Sequence, residues 1–257
     1  MKRLFISLAI LAGISLSSCN DSFLEKTPVT DLTENNAFNS YDNFKAFMWP
    51  CYEMFTNNTI RTSLQGFGQD GQYKGDMAAG YFQQKYESGY NEFAYQTVAS
   101  VASGNGWDFK SFIRRVNIML SHIDNSSMTE AQKDHWRAVG YFFHSFWYME
   151  LIDRFGDVPW VDQVLQEDSP EAYGPRVDRK TVADKVLERL QWAEQNIGNF
   201  TSQDGDNTIN QDCVRAVISR FGLREGTWRK YHELGDYDKY LQESVRASEL
   251  LMSAYPT

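Results

Sequence analysis

The chain has 257 residues, enough for one large or two modest domains that bury a substantial core. Aromatic residues make up 15% of the chain, and its formal net charge is −9. This acidic balance, with no basic cluster, argues against nucleic acid or an anionic lipid surface as a partner, because both bind through clustered Lys and Arg.

The first 18 residues have the pattern of a secretory leader, with two basic residues before an apolar run. The run is too short to cross a membrane as a mature helix, which needs about 20 apolar residues. It ends in Leu16-Ser17-Ser18-Cys19, the pattern of a bacterial lipobox, which predicts that Cys19 is lipidated. The alternative is an ordinary cleaved signal that a cysteine follows by chance. Residues 19–40 are polar and contain a proline, so we expect an extended tether there.

Residues 41–55 show helical spacing of apolar side chains, and Pro50 interrupts them, which predicts a kinked helix. Residues 58–106 change character, because neither a helical nor a strand period is sustained there. This segment holds eight aromatic residues and eight glycines, and so long a loop in a compact domain is usually functional or disordered. Its aromatic content argues against disorder.

Residues 129–154 form the predicted centre of the fold. Thr129 and Gln132 have the spacing of a capping box, and Gly156 with Pro159 marks the end of the helix. Apolar and aromatic residues occupy most of the circumference, which is typical of a buried helix. The helix also carries charged residues, which argues against a bilayer span. We therefore expect the buried central helix of a helical domain.

Further helices are predicted on both sides of this element. Residues 109–123 pair with it as an antiparallel hairpin of about the size of a TPR repeat, roughly 34 residues. An acidic, proline-bearing connection and a polar loop at 201–208 separate the later helices, predicted at 181–197 (capped by Gly198), 213–228 and 237–252. The predicted fold class is mainly α, with TPR-like helical hairpins packed around a central aromatic-rich helix and a long irregular aromatic- and glycine-rich loop region. We expect one helical domain over residues 41–257.

Four segments resemble the SusD/RagB family, the surface glycan-binding lipoproteins of Bacteroidetes. The central helix ends in an R-F-G-D-V-P turn at 154–159, and an F-L-x-x-x-P segment follows the lipobox at 23–28. A W-x(5)-I-x(3)-N-x(2)-L pattern begins at Trp107, and residues 220–232 resemble an R-x-x-L-x-E-G-T-[FW]-R-K-Y-H stretch. The family pattern is roughly twice as long as this chain, whose helical array would end within a hairpin. We therefore expect a fragment or a truncated gene product.

The resemblance implies a lipoprotein at the cell outer membrane, exposed at the surface, that binds oligosaccharides without acting on them. It also implies a protein partner, a SusC-like TonB-dependent transporter that the lipoprotein covers as a lid. The residues themselves show no independent sign of this partner.

The sequence contains no HExxH, GxSxG, GxxxxGK[ST] or CxxC pattern. The four histidines lack metal-ligand spacing, and His144 on a mostly apolar helix is expected to be a satisfied core residue. Glu150 and Asp153 suggest a glycosidase pair, which needs two carboxylates about 5 to 9.5 Å apart. We expect them instead to pair with Arg137 or Arg154. The sequence therefore predicts no enzyme, no cofactor and no metal site.

Binding chemistry has more support in the aromatic- and glycine-rich segment. A sugar presents a C–H face that stacks on an aromatic ring and hydroxyls that need amide or carboxylate partners. The segment mixes these side chains, and the predicted glycan-binding residues are Gln69, Asp70, Tyr73, Phe82, Tyr86, Tyr90, Asn105 and Trp107. The alternative is that these aromatic side chains only pin the loop to the helices.

Three hypotheses follow. The first is a SusD-like lipoprotein that captures oligosaccharides for a transporter. The second is a TPR-like adaptor lipoprotein whose ligand is a protein, and the third and weakest is a glycoside hydrolase. The sequence does not identify the glycan, and it does not decide whether Cys51 and Cys213 pair, although free thiols are favoured.

Overall fold

The computed structural model describes residues 38–56 and 110–256, and the regular structure there is helical. An isolated bridge joins Val158 to Val177. The α-helices are α1 (Tyr41–Met48), α2 (Glu53–Thr56), α3 (Lys110–His122), α4 (Glu130–Phe155), α5 (Arg179–Asn196), α6 (Thr201–Asp204), α7 (Gln211–Tyr231) and α8 (Asp238–Ala254). Short 3-10 turns lie at Trp49–Tyr52 and Pro170–Tyr173.

The predicted interruption at Pro50 is confirmed. Helix α1 ends at Met48, and the 3-10 turn that holds Pro50 near its start leads into α2. A proline has no backbone N–H and clashes with the preceding helical turn, so the α-helix cannot run through it unchanged. Phe44, Met48 and Cys51 from this segment are buried in the core.

Helix α4 has both predicted end signals. The Thr129 hydroxyl accepts from the Gln132 amide N–H at 3.4 Å, and the Gln132 side chain accepts from the Thr129 N–H at 3.0 Å. The helix ends at Phe155, and Gly156 follows with a φ of 68°, a conformation that glycine adopts without strain. Its N–H donates to the Ile152 carbonyl at 3.0 Å.

Buried residues occupy most of the circumference of α4, as predicted. The buried residues include Trp136, Ala138, Val139, Phe142, Phe143, Ser145, Trp147, Met149, Leu151 and Ile152. Tyr141 and Phe146 are half-buried. His144 is fully buried and its Nε2 lies 2.8 Å from the Val161 carbonyl, so it is a core histidine as expected. It is satisfied only in part, because its buried Nδ1 has no hydrogen-bond partner among the described residues.

The helices pack in sequence order around α4. Helix α4 packs against α3 and α5, α5 packs against α7, and α7 packs against α8. The connections between α3 and α4 and between α7 and α8 are short, and short connections favour antiparallel neighbours, so each of these pairs forms a hairpin. The stacked helices have TPR-like packing. The predicted mainly α fold with TPR-like packing is confirmed, whereas the predicted irregular region at 58–106 lies outside the described residues.

The later helix boundaries differ from the predictions. Helix α5 begins at Arg179 because Asp178 caps it, accepting from the Thr181 N–H at 2.9 Å. The predicted glycine cap at Gly198 is wrong, since the helix already ends at Asn196 and Ile197 takes an extended conformation. The predicted polar loop at 201–208 contains the short helix α6.

Two predictions concern pairing. Cys51 and Cys213 are both free thiols, as favoured. The expected pairing of Glu150 and Asp153 with Arg137 is wrong, because Arg137 binds Asp124 at 2.6 Å and Asp134 at 2.9 Å. The side chain of Arg154, the other expected partner, lies outside the described part of the chain. Both carboxylates instead face Arg224 of α7, a residue far along the chain, as described below.

Candidate functional site

The residues predicted from the sequence to bind glycan lie outside the described residues. Gln69, Asp70, Tyr73, Phe82, Tyr86, Tyr90, Asn105 and Trp107 all belong to the segment between α2 and α3, and the predicted lipidation site Cys19 precedes α1. These assignments stay predictions.

A groove of about 590 Å³ opens where the C-terminal ends of α4 and α7 meet the start of α5. Its size lies within the range of small-molecule sites, roughly 300–1,000 Å³. We call it the aromatic groove; it is lined by Ile152, Asp153, Gly156, Arg179, Arg224, Thr227, Trp228, Tyr231 and His232. The end of α4 at Gly156 shapes one side of it.

The aromatic wall comes from the last turn of α7. Trp228, Tyr231 and His232 are spaced by three and four residues, which places them side by side on one helix face. The His232 and Trp228 rings stack with centroids 3.8 Å apart, and the Arg179 guanidinium lies 4.7 Å from the Trp228 centroid. These contacts hold the indole, whose residue is 43% exposed.

Tyr231 is the open ring of this wall, with 81% of its surface exposed. Within residues 38–56 and 110–256 its phenol makes no hydrogen bond and no ring contact. An exposed ring beside a fixed one provides a flat apolar surface that a ligand can cover without displacing a protein partner.

Charged side chains form the polar side of the groove. Arg224 Nη1 lies 2.6 Å from Asp153 Oδ2 and 3.8 Å from Glu150 Oε1, and Arg179 Nη2 lies 3.8 Å from Asp153 Oδ1. Desolvation in the groove raises the pKa of Asp153, although the two guanidinium groups oppose the shift. Arg179 Nη1 also lies 2.6 Å from Glu225 Oε2.

A buried ion-pair network behind the groove fixes α7. Arg229 Nε donates to Glu225 Oε1 at 2.7 Å, and both side chains are only 1% exposed. Arg229 Nη2 continues the network to the Tyr240 hydroxyl at 2.9 Å and to Asp184 Oδ1 at 3.3 Å. Although desolvation opposes it, hydrogen bonds from Lys239 and Tyr240 lower the pKa of Asp184 to about 2. Because these residues come from α5, α7 and α8, the network sets the spacing of the helices that line the groove.

A second polar cluster joins α1, α4 and α6 in the interior. The Tyr41 hydroxyl donates to Asp204 Oδ2 at 2.5 Å, and His135 Nε2 lies 3.4 Å from the same oxygen. Burial lowers the pKa of His135, although Asp204 opposes the shift. Tyr41 and His135 are both buried, so the cluster offers no surface to a substrate and serves to join the helices.

The aromatic groove does not appear among the sites predicted from the sequence. The residues 220–232 stood out only through the family resemblance, and the spacing of Trp228, Tyr231 and His232 was the signal for an exposed aromatic face. The sequence offers Asp153 and Glu150 as a candidate glycosidase pair. Both carboxylates face Arg224, an arrangement that favours ion pairing over acid catalysis.

The described part of the chain also bears on two other kinds of site, membrane spans and metal centres. None of its helices combines the length and the apolar character that a membrane crossing needs. Nor do the residues that the structure describes bring together three His, Cys, Asp or Glu side chains in a way that could hold a metal ion.

Solved structures with a similar fold come from Bacteroides species. A SusD-like protein from Bacteroides fragilis is 19% identical, with a TM-score of 0.58 over 86% of this chain and 41% of that one. A SusD-like carbohydrate binding protein from Bacteroides vulgatus is 16% identical, with a TM-score of 0.58 over 86% and 46%. NanU from B. fragilis is 13% identical, with a TM-score of 0.59 over 88% and 44%. The chain thus spans less than half the length of these proteins, and the likeness shows the fold.

Sequence comparison gives the family. No curated protein matches this chain. A family model of SusD-like proteins, described as starch-binding and associating with the outer membrane, matches residues 22–223. Because this match covers more than half of the chain, the protein belongs to the SusD-like family.

Proposed function

We propose that the protein captures glycans at the outer membrane and passes them to a TonB-dependent, SusC-like transporter. The observation that carries the proposal is the family match over residues 22–223, since that family is described as starch-binding and associating with the outer membrane. The match includes the aromatic- and glycine-rich segment with its predicted glycan-binding residues. The transporter is proposed from the resemblance to SusD/RagB proteins.

We propose further that the protein is a surface-exposed lipoprotein anchored through Cys19 and that it binds without turnover. The lipobox pattern supports the anchor, because acylation of its cysteine places a protein at a membrane surface. The lack of a catalytic pattern in the sequence and the ion pairing of Glu150 and Asp153 with Arg224 support binding over hydrolysis.

Glycan binding by the whole chain tests the proposal. Affinity gels and calorimetry would survey plant, microbial and host polysaccharides. We expect at least one to bind, and we expect replacement of Tyr73, Tyr86 and Tyr90 by Ala to weaken that binding at least about tenfold, the effect of losing central aromatic contacts.

The matched control replaces three other aromatic residues of the same segment, Tyr81, Phe93 and Tyr95, by Ala and should retain binding. Circular dichroism would confirm that both triple variants are folded. Equal loss of glycan binding in the two triple variants would show that Tyr73, Tyr86 and Tyr90 contribute no more to binding than the control residues do. Absence of binding to any polysaccharide by the folded chain would contradict the proposed function.

A protein ligand is the alternative, and the TPR-like packing of α3 to α8 is the observation that favours it. Helical repeat arrays provide extended surfaces for other chains. A pull-down that recovers a stoichiometric protein partner, from a chain that binds no glycan, would support this adaptor function.

A further inference from the structure

We propose that the aromatic groove is a sugar-binding subsite that takes an uncharged sugar residue, stacked on the ring of Tyr231. The inference rests on the proposed glycan-binding function. It adds a position on α7, distinct from the predicted residues between α2 and α3, and it specifies the chemical class of the ligand.

The open ring of Tyr231 supports stacking. Its residue is 81% exposed at the mouth of the groove, while its neighbour Trp228 is held by the stacked ring of His232 and the guanidinium of Arg179. A sugar has an apolar C–H face about as wide as a phenol ring. Covering the Tyr231 ring with that face buries apolar surface of both partners.

The charge balance of the groove favours an uncharged ligand. The guanidinium groups of the lining are Arg179 and Arg224, and the carboxylates that they face are Glu150, Asp153 and Glu225. Behind the lining, Arg229 faces Glu225 and Asp184. An anionic sugar would compete with Asp153 for Arg224, and a cationic one would compete with Arg224 for Asp153. Either exchange breaks a pair 2.6 Å long and leaves its partner poorly compensated.

Hydroxyl groups can use the same pair without breaking it. The Asp153 and Arg224 side chains are 31% and 36% exposed, so each retains hydrogen-bonding capacity toward the groove. A hydroxyl both donates and accepts, so adjacent hydroxyls can donate to the carboxylate and accept from the guanidinium. An uncharged polyol therefore matches this polar side.

The groove is also formed before any ligand arrives. Arg224 Nη2 donates to the Met149 carbonyl at 3.0 Å, Arg179 binds Glu225, and the buried pair of Glu225 with Arg229 holds α7 in place. A ligand then has few side chains to order, which reduces the entropic cost of binding.

The test compares Tyr231→Ala with Tyr173→Ala in the whole chain. Tyr173 lies in the second 3-10 turn, outside the groove, and is 80% exposed, so the two variants remove equally exposed tyrosines. Calorimetry would use the polysaccharide that binds best, together with oligosaccharides of matched length that are either uncharged or rich in uronic acid. We expect Tyr231→Ala to weaken binding of the uncharged ligand at least about tenfold and Tyr173→Ala to change it less than about twofold.

The outcomes separate this inference from the proposed function. If Tyr231→Ala binds like the parent while the triple variant at Tyr73, Tyr86 and Tyr90 loses binding, the groove is not a subsite and the proposed function stands. If the uronic-acid ligand binds as tightly as the uncharged one and depends equally on Tyr231, the inferred ligand class is wrong. If the folded parent binds no glycan, the proposed function fails and the groove inference fails with it.

Discussion

His144 lies in the middle of α4 with its ring fully buried between helices. Its Nε2 lies 2.8 Å from the Val161 carbonyl, so the neutral ring carries its proton on Nε2 and donates there. The rings of Tyr148 and Trp160 pack against it at 4.7 and 4.9 Å. Burial, aided by the nearby charge of Arg189, lowers the pKa of His144 well below its ordinary value, although the bond to Val161 opposes the shift. The ring is therefore neutral in the folded protein at neutral pH.

This burial predicts a loss of stability in mild acid. The unfolded chain binds a proton at His144 near its ordinary pKa of about 6.5, whereas the folded chain does not. The free energy of unfolding should thus fall as the pH drops from about 7 to 5, by up to about 1.4 kcal/mol per pH unit for this group. Urea unfolding midpoints at several pH values would measure it.

His144→Gln is the informative variant, because glutamine keeps an N–H donor for Val161 and does not titrate. We expect its stability to depend less on pH than that of the parent over this range. Some dependence should persist, since burial also lowers the pKa of His135. The surface variant Leu223→Ala, which changes no ionisable group at an exposed position, serves as control and should keep the full dependence. An unchanged pH slope in His144→Gln would contradict the prediction.

The contact between α7 and α8 depends on two glycines one helical turn apart. A Cβ on Gly222 would lie 2.5 Å from the Tyr240 carbonyl oxygen and 3.0 Å from the Ser244 nitrogen, both backbone atoms. A Cβ on Gly226 would lie 2.6 Å from the Leu241 side chain. The missing side chains allow the two backbones to approach closely, and this closeness places Tyr240 within reach of Arg229.

Gly222→Ala should therefore destabilise the fold by about 1–3 kcal/mol, because the clashing atoms belong to the α8 backbone and cannot turn away. Gly140→Ala in α4 is the matched control. Its Cβ would meet the Met119 Cε at 2.6 Å and the Leu120 Cδ2 at 3.0 Å, which are ends of flexible side chains. The gain in helix propensity, about 1 kcal/mol, offsets much of that cost. Urea unfolding would measure the free energy of unfolding of both variants and of the parent. Equal stability of Gly222→Ala and the parent would contradict the prediction.

The helix boundaries that the sequence predicted correctly depend on caps and prolines close to each boundary. The ends of α4 follow from Thr129, Gln132 and Gly156, and the break after α1 follows from Pro50, because caps and prolines act within a few residues. The partner of Asp153 and the role of Gly222 were not predictable in this way. Each depends on a residue of another helix, and no local pattern specifies which helices meet. The aromatic groove has the same origin, since α4, α5 and α7 each supply part of it.

The whole molecule combines a helical domain with a predicted membrane attachment at its N-terminus. Residues 19–40 separate Cys19 from α1, and a chain of that length spans at most about 75 Å when extended. Lipid attachment at Cys19 would hold the helical domain, with its proposed glycan sites, near the proposed transporter in the same membrane. The effective concentration of the domain at the transporter is then set by the tether and not by free diffusion.

Lipid attachment through Cys19 can be tested by mutation. Each methylene of a bound acyl chain contributes about 0.8 kcal/mol of membrane affinity, and one chain alone gives only marginal binding, so several chains on Cys19 are needed for stable attachment. Cys19→Ala should therefore abolish palmitate labelling and move the protein to the soluble fraction, with glycan binding unchanged because the proposed sites lie elsewhere. Cys213→Ala removes a free thiol of the helical domain and should remain labelled and membrane-bound. Persistent labelling of Cys19→Ala would overturn the lipobox assignment, whereas unlabelled protein that stays in the membrane fraction would show that a protein partner, and not the lipid, holds it there.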